Sequence, residues 1–181
     1  MPLCEENEVW HAMRATYGRE LDIKQFLDNE KIENFIPMHH EIMVKNGKKK
    51  RKLVPIIHNL IFIKATYAAI WEVKKILSYL QFMTEKREGR KVPIIVPEQQ
   101  MHQFIAVSST YNESLRYFKP EELNLAKGVK VRIHGGEFDG REGIYVKIKG
   151  ARDRRLVVCI QGVIAVVTAA IHPSLVEVLK E

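Results

Sequence analysis

Hydrophobic residues recur with two different periods along this chain, and the change between them predicts two kinds of domain. Within residues 1–107, runs that alternate with period two are interrupted by runs with helical spacing. After residue 124 only the period of two remains. We therefore predict an α+β domain over residues 1–107, a linker over 108–124 and a small all-β barrel over 125–181.

The first domain is predicted to pack helices against an antiparallel sheet. Residues 9–15, 35–44 and 53–65 have strand patterns, and Asn46-Gly47 between the last two indicates a hairpin turn. Helical spacing follows Gly18 up to Lys31 and recurs over 67–79. Pro97 and Glu98 suit the first turn of a last helix, with an apolar face of Met101, Phe104 and Ile105.

The all-β domain is predicted from five short alternating runs joined by glycine-rich turns. Its most informative stretch is VRIHGGEFDGREGIYVKIKG, residues 131–150. Gly136 and Gly140 suit the tip of a tight turn, because glycine adopts positive φ at little cost. Phe138 is expected to pack back on the barrel, and Gly143 to lie where a side chain would crowd the neighbouring strand.

Charge and composition narrow the possible functions only a little. The net charge of +7 permits an anionic partner, and the run from Lys48 to Lys52 is its most basic part. No segment approaches the roughly 20 apolar residues of a membrane span, and the N-terminus does not have the pattern of a signal peptide. Cys4 and Cys159 have no metal-ligand spacing, which is typical of a cytoplasmic protein with reduced thiols.

Catalytic chemistry is not indicated. His39 and His40 would point to opposite faces of a strand and could not chelate one metal ion together. Cys159 has no neighbouring base, and the glycines of residues 135–143 lack the lysine ending of a phosphate loop. We therefore expect no enzyme activity, no metal and no cofactor.

The glycine-rich stretch resembles the KOW motif of NusG-type transcription factors and several ribosomal proteins. The matching positions are Val131, Gly136, Phe138, Gly140 and Gly143. The segments WHAMRATYGRE, FIPMHHEIMVKNGKKKRKLVPIIHNLIFI and VPEQQMHQF resemble successive parts of the NusG N-terminal domain, in the family's order. The run P-x-x-x-N-L-I-F and the basic loop are most similar to specialised paralogues of the UpxY and RfaH type.

This resemblance implies a monomeric bacterial antitermination or elongation factor that binds the clamp helices of RNA polymerase and suppresses pausing at particular operons, such as those for capsular polysaccharide. It implies an exposed polymerase-binding patch comprising Ile57, Leu60, Phe62, Phe82, Met101 and Phe104, with Trp71 toward the opposite pincer. Non-template DNA would be contacted by Arg14, Arg19 and Lys24, and phosphates by Lys48, Lys49, Lys50, Arg51 and Lys52. The barrel would recruit Rho or a small-subunit ribosomal protein. Independently of the resemblance, β-branched residues predict that it stays a barrel: Val157, Val158, Val163, Val166 and Val167.

Two alternatives remain open at this point. Each patch residue could instead be part of the core, and each basic residue a solvated surface charge. The whole chain could also be an RNA- or ribosome-binding protein without a polymerase role, which would use a basic stripe of Lys130, Arg132, Lys147 and Lys149 on the barrel. Exposure of Phe62 and Phe104 would favour the polymerase hypothesis.

Overall fold

The computed structural model describes residues 7–180, so Cys4 and the N-terminal segment considered above lie outside the described part. The chain divides into two compact units. The first comprises residues up to Pro37 together with Pro55–Glu98, and the second comprises Met38–Val54 together with the residues from Gln99 onward. The proposed limits of the linker and of the two domains stay predictions.

Residues 7–97 form two α-helices and nine strands or strand pieces, among which the hairpin of residues 38–54 belongs to the second unit. In chain order the elements are β1 (Val9–Ala15), α1 (Glu20–Asn29), β2 (Asn34–Phe35), β3 (Met38–Lys45), β4 (Lys48–Pro55), β5 (Leu60–Ala65), α2 (Tyr67–Ile76), β6 (Leu80–Phe82), β7 (Thr84–Arg87), β8 (Arg90–Pro93) and β9 (Ile95–Val96). Most of these follow the sequence pattern closely, and β1 has the predicted bounds.

The main sheet of the first unit is built around β1. Its order is β2-β5-β1-β6, and β9 also pairs with β1. Strands β1 and β5 run antiparallel from Val9 opposite Ala65 to Arg14 opposite Leu60. Trp10, Met13 and the residues from Leu60 to Ile63 are buried, so both faces of the two central strands are covered.

The prediction of one long strand over residues 53–65 is wrong, because a turn at Ile56–Asn59 divides this segment into two strands. Asn59 adopts a φ of 66°, in the left-handed region that asparagine tolerates better than most residues. Its side-chain oxygen accepts a hydrogen bond from the Gly18 amide at 2.8 Å, and its carbonyl accepts one from Ala15 at 3.0 Å. These bonds fix the break, so β4 pairs with β3 and only β5 joins the main sheet.

Besides the hairpin of β3 and β4, the described part of the second unit contains one α-helix and the larger sheet. Its further elements are α3 (Glu98–Ser108), β10 (Arg116–Phe118), β11 (Val129–Ile133), β12 (Glu142–Lys147), β13 (Arg154–Ile160), β14 (Ile164–Ala170) and β15 (Val176–Val178). The sheet is six-stranded with the order β10-β14-β13-β12-β11-β15. The predicted fold class, an α+β part followed by an all-β part, is confirmed.

Strand β10 lies within residues 108–124, where the sequence pattern predicted a linker without regular secondary structure. Strand β10 pairs antiparallel with β14, with Tyr117 opposite Val166. A small cluster of Val146, Val157, Ala165 and Val167 is buried on one face of the sheet, and Phe118, Leu123 and Leu125 pack against it. Residues 116–125 therefore cover this face, which a five-stranded sheet would leave open to water.

The glycine-rich turn has the geometry that the sequence indicated. Gly136 and Gly140 have φ values of 73° and 72°, and Phe138 is buried. Position 143 requires glycine because the backbone of the next strand lies very close: an added Cβ would be 2.5 Å from the Val157 carbonyl oxygen. That distance is well inside van der Waals contact, so a side chain at this position would push β12 and β13 apart.

Candidate functional site

Three aromatic side chains form a surface cluster on the first unit, here called the aromatic patch: Tyr67, Trp71 and Phe82. The Tyr67 and Phe82 rings stack with centroids 5.3 Å apart and an interplanar angle of 20°. The Trp71 ring lies 6.1 Å from Tyr67 and 6.0 Å from Phe82. Trp71 is 44% exposed and Tyr67 39% exposed, which is a large apolar area for a protein surface.

Helix α2 positions the aromatic patch. Thr66 caps the helix by accepting a hydrogen bond from the Ala69 amide at 3.1 Å, and Ile70 and Val73 are buried. Tyr67, Trp71 and Lys74 are spaced by four and three residues, so they share the outer face. The Lys74 ammonium lies 4.3 Å from the Trp71 ring centroid and 4.7 Å from that of Phe82, where cation–π attraction fixes both rings.

The exposure expected for Leu60 and Phe62 is not found. Leu60 is 4% exposed and Phe62 is fully buried. Strand β5 has a partner strand on each side and covered faces, so its side chains are held in the core. Ile57, in the turn before β5, is half-buried.

Met101 and Phe104 are also fully buried, against the same expectation. Both lie on the inner face of α3, and the Phe104 ring contacts Tyr117 of β10 with centroids 6.4 Å apart. Burial raises the pKa of the Tyr117 hydroxyl. Of the seven residues expected to bind polymerase, Trp71 is exposed and Phe82 and Ile57 are partly exposed. Trp71 and Phe82 belong to the aromatic patch.

The basic residues expected near DNA lie around one end of β1 and on α1. Arg14 is exposed at the end of the strand, and the Arg19 guanidinium lies 4.8 Å from the Tyr79 ring centroid. The Lys24 ammonium is already engaged: it donates to Asp28 of the same helix and to Asn34 of β2, each at 3.2 Å. The hydrogen bond from Asn34, aided by Lys24, holds the pKa of Asp28 below its ordinary value.

Tyr17 is a candidate that sequence reasoning missed. It is 88% exposed, has a φ of 64°, and lies in a short turn between Arg14 and Arg19. A hydrogen bond from the Thr16 amide to the Tyr79 carbonyl, 2.9 Å long, joins this turn to the segment between α2 and β6. An exposed aromatic side chain near arginines can stack on a nucleic acid base, and the sequence already showed Tyr17 between Arg14 and Arg19.

The basic run Lys48–Lys52 forms strand β4 rather than a loop. Asn46 and Gly47 have φ values of 52° and 71°, the positive angles that a two-residue hairpin turn needs, and they allow the lysines to continue in a paired strand. Every side chain from His39 to Lys52 is exposed. Arg51 donates a 2.9 Å hydrogen bond to Glu113, whereas no ion pair of the other four cations of this run is seen in residues 7–180.

The four barrel residues of the alternative hypothesis do not form one stripe. Lys130 pairs directly with Ile144, so these two share a face of the sheet, and Lys147 lies three residues further along β12 on the opposite face. Arg132 is bound to Glu142 through two hydrogen bonds, 2.6 and 3.0 Å long. The strand register therefore places Lys130 and Lys147 on opposite faces, although alternation within each strand had grouped them.

The described residues give little basis for metal or thiol chemistry. Within residues 7–180 no three His, Cys, Asp or Glu side chains are placed to hold one metal ion. Burial raises the pKa of the Cys159 thiol, which lowers the amount of reactive thiolate. None of the described helices is long and apolar enough to cross a membrane.

A comparison with protein-family models assigns the first part of the chain to a family. The family model described as "NusG: Transcription termination factor nusG" matches residues 8–105, more than half of the sequence. A solved structure titled "Domain interaction in Thermotoga maritima NusG" is 19% identical, covering 96% of this chain and 98% of that one with a TM-score of 0.43. No curated protein matches significantly. Because the family model spans β1 to most of α3, this chain belongs to the NusG family.

Proposed function

We propose that this protein is a transcription elongation and antitermination factor that binds the clamp helices of RNA polymerase through the aromatic patch. The NusG family consists of non-enzymatic transcription factors that act with RNA polymerase. The observation that carries the proposal for this chain is the cluster of Tyr67, Trp71 and Phe82 on the domain matched by the family model.

The composition of the aromatic patch supports binding to a protein. Tryptophan and tyrosine dominate the energetics of protein interfaces, because each contributes a large rigid area at a small entropic cost. The three rings are already held against one another and against Lys74, so binding costs little side-chain conformational entropy. Lys74 also places a positive charge at the rim, which favours an acidic partner surface.

Suppression of pausing follows from binding one state of the enzyme better than another. A factor that binds the closed clamp about tenfold more tightly than the open clamp shifts their ratio tenfold, a difference of about 1.4 kcal/mol. The role at particular operons, similar to that of UpxY and RfaH, is proposed on the exposed residues Arg14, Tyr17 and Arg19, which suit contact with a non-template DNA strand. Recruitment of Rho or a ribosomal protein by the barrel stays a proposal of the family resemblance.

The test is binding of the full chain to bacterial core RNA polymerase, wild type against Trp71→Ala. We expect the variant to bind at least tenfold more weakly, since a central tryptophan typically contributes about 2 kcal/mol or more. Phe62 is unsuitable for this test, because a charge in its place would lie in the core and unfold the protein.

Ile76→Ala is the matched control. Ile76 is on the same helix, is 66% exposed, and lies about 140° around the helix axis from Trp71. Its binding should stay within about twofold of wild type. Equal binding by Trp71→Ala and wild type would remove the aromatic patch from the interface, and no binding by the wild type would favour the RNA- or ribosome-binding alternative.

A further inference from the structure

A cleft of about 320 Å³ lies in the second unit, between the β3–β4 hairpin and the segment that follows α3. It has a mixed lining of rings, cations and one carboxylate, and the main contributors are His40, Ile42, Arg51, Tyr111, Glu113 and Arg116. No part of the proposed polymerase-binding surface belongs to it. A cavity with this lining is a candidate binding site, and its chemistry indicates the ligand.

Two rings provide a platform in this cleft. His40 and Tyr111 meet edge to face, with centroids 5.6 Å apart and an interplanar angle of 63°. Tyr111 is 39% exposed, so one part of its ring is open to a ligand. A planar, polarisable group such as a nucleic acid base gains about 1–3 kcal/mol by stacking on an aromatic ring.

The backbone holds Tyr111 in a conformation that tyrosine rarely adopts. Its φ is 51°, which glycine or asparagine would accept at lower cost. The neighbouring turn is fixed by its own hydrogen bonds: the Thr110 hydroxyl donates to Val107 at 2.8 Å, and the Ser114 amide donates to Asn112 at 2.8 Å. The ring is thus presented by an ordered turn before any ligand arrives, which lowers the entropic cost of binding.

The positive charge beside the cleft is concentrated on the hairpin. Residues 38–54 contain six cationic side chains and one carboxylate, a net charge of +5 within a chain of +7. Alternation along β4 places Lys49 on the same face as Arg51, whereas Lys48, Lys50 and Lys52 lie on the other. The Arg51–Glu113 pair is exposed on both sides, so exchange of Glu113 for a phosphate costs little.

We propose that the cleft binds a base of a single-stranded nucleic acid, stacked on Tyr111 beside His40. Arg51 and Lys49 contact the adjoining phosphates. Single strands fit this arrangement because their bases are free to leave the stack, whereas a duplex offers only its backbone to the lysines. The proposal does not depend on polymerase binding, so it is tested with the protein alone.

The test uses fluorescence anisotropy with the full chain and four probes: oligo(dT), oligo(U), a DNA duplex of the same length, and heparin as a polyanion without bases. We expect one or both single strands to bind more tightly than the duplex. Preference for oligo(U) would identify a transcript as the source of the strand, and preference for oligo(dT) a displaced DNA strand. Duplex binding as tight as single-strand binding would overturn the proposal.

Tyr111→Asn removes the ring and keeps a residue that accepts the positive φ, so the variant should fold at least as well as the wild type. We expect it to bind the preferred single strand about tenfold more weakly and heparin equally well. Tyr111→Phe should retain the affinity. An unchanged affinity of Tyr111→Asn for single strands, or an equal loss toward heparin, would show that no base stacks on Tyr111.

Lys49→Gln and Lys50→Gln form a matched pair with the same change in charge on opposite faces of β4. Lys49→Gln should reduce the slope of log affinity against log salt by about 0.7, the contribution of one phosphate contact on a single strand. Lys50→Gln should change the slope less. The same reduction of the slope in both variants would contradict the proposed contact of Lys49, on the face of β4 that also carries Arg51, with a phosphate of the bound strand.

Discussion

Gly143 shows how a single residue can set the spacing of two strands. Its Cα faces the backbone of β13, where an added Cβ would meet the Val157 carbonyl oxygen at 2.5 Å and a Leu156 methyl at 3.0 Å. The carbonyl belongs to a paired strand and cannot turn away without loss of its ladder. Gly136, in contrast, has open space around its Cα and needs glycine only for its φ of 73°.

Gly143→Ala should therefore destabilise the second unit by about 2–3 kcal/mol through overpacking. Gly136→Ala, the control, should cost only about 1 kcal/mol, the price of a left-handed alanine. Hydrogen exchange of the β12 and β13 amides measures both changes in the full chain. Equal protection in the two variants would mean that β12 moves to accommodate the methyl group.

The role of Gly143 could be predicted from the sequence because it depends on local spacing within one motif. The burial of Phe62 could not, since an alternating strand with apolar residues on both faces is compatible with a central position or an exposed patch. Phe62 is buried because β5 lies between β1 and β2 in the sheet. Strand β1 is distant from β5 in the sequence, and β2 has only two residues, so neither pairing is evident from local sequence. Trp71 was ambiguous as well, because a tryptophan on a helix suits the core or an interface, and it lies on the exposed side of α2.

At the scale of elements, β10 is the sixth strand of a sheet for which the sequence pattern predicted five strands. It has three residues, Arg116–Phe118, too few for a period to be recognised. Its structure comes from pairing with β14, and the chain then continues through Leu123 and Leu125 across the buried cluster of Val146 and Val157. Short strands of this kind depend on a partner, so they are predicted poorly from local sequence.

A fragment of residues 115–181 should consequently be more stable than one of residues 125–181 by about 2–3 kcal/mol, the value of partly burying a Phe and a Leu side chain. The midpoint of urea unfolding, followed by circular dichroism, measures the difference. Fragment 115–181 with Phe118→Ala and Leu123→Ala should resemble the shorter fragment. Equal midpoints of the two wild-type fragments would show that the segment adds no stability.

For the whole molecule, the position of the positive charge along the chain matters more for binding a polyanion than the net charge does. A net charge of +7 is modest, yet the hairpin contributes +5 of it over seventeen residues. Charges within about 10 Å of one another act together at physiological salt, so a polyanion experiences the hairpin as one strong site. The sequence showed the basic run, but only the paired strand shows that its cations are divided between two faces.

Changing Lys45, Lys48, Lys49, Lys50 and Lys52 to Gln should lower the salt concentration that elutes the protein from heparin far more than an equal change elsewhere. The matched control replaces the exposed residues Lys86, Lys91, Lys127, Lys130 and Lys180 by Gln. Both variants have a net charge of +2, five below the natural +7. Co-elution of the two variants would show that net charge alone governs binding.

The central position of β1 also bears on synthesis of the chain. Its partners β5, β6 and β9 all come later, the first of them beginning 45 residues after Ala15. At roughly 5–20 residues per second, a ribosome needs several seconds to supply them. During that time Trp10, Met13 and the strand's amide groups resemble an open sheet edge on the nascent chain, the kind of segment that molecular chaperones protect.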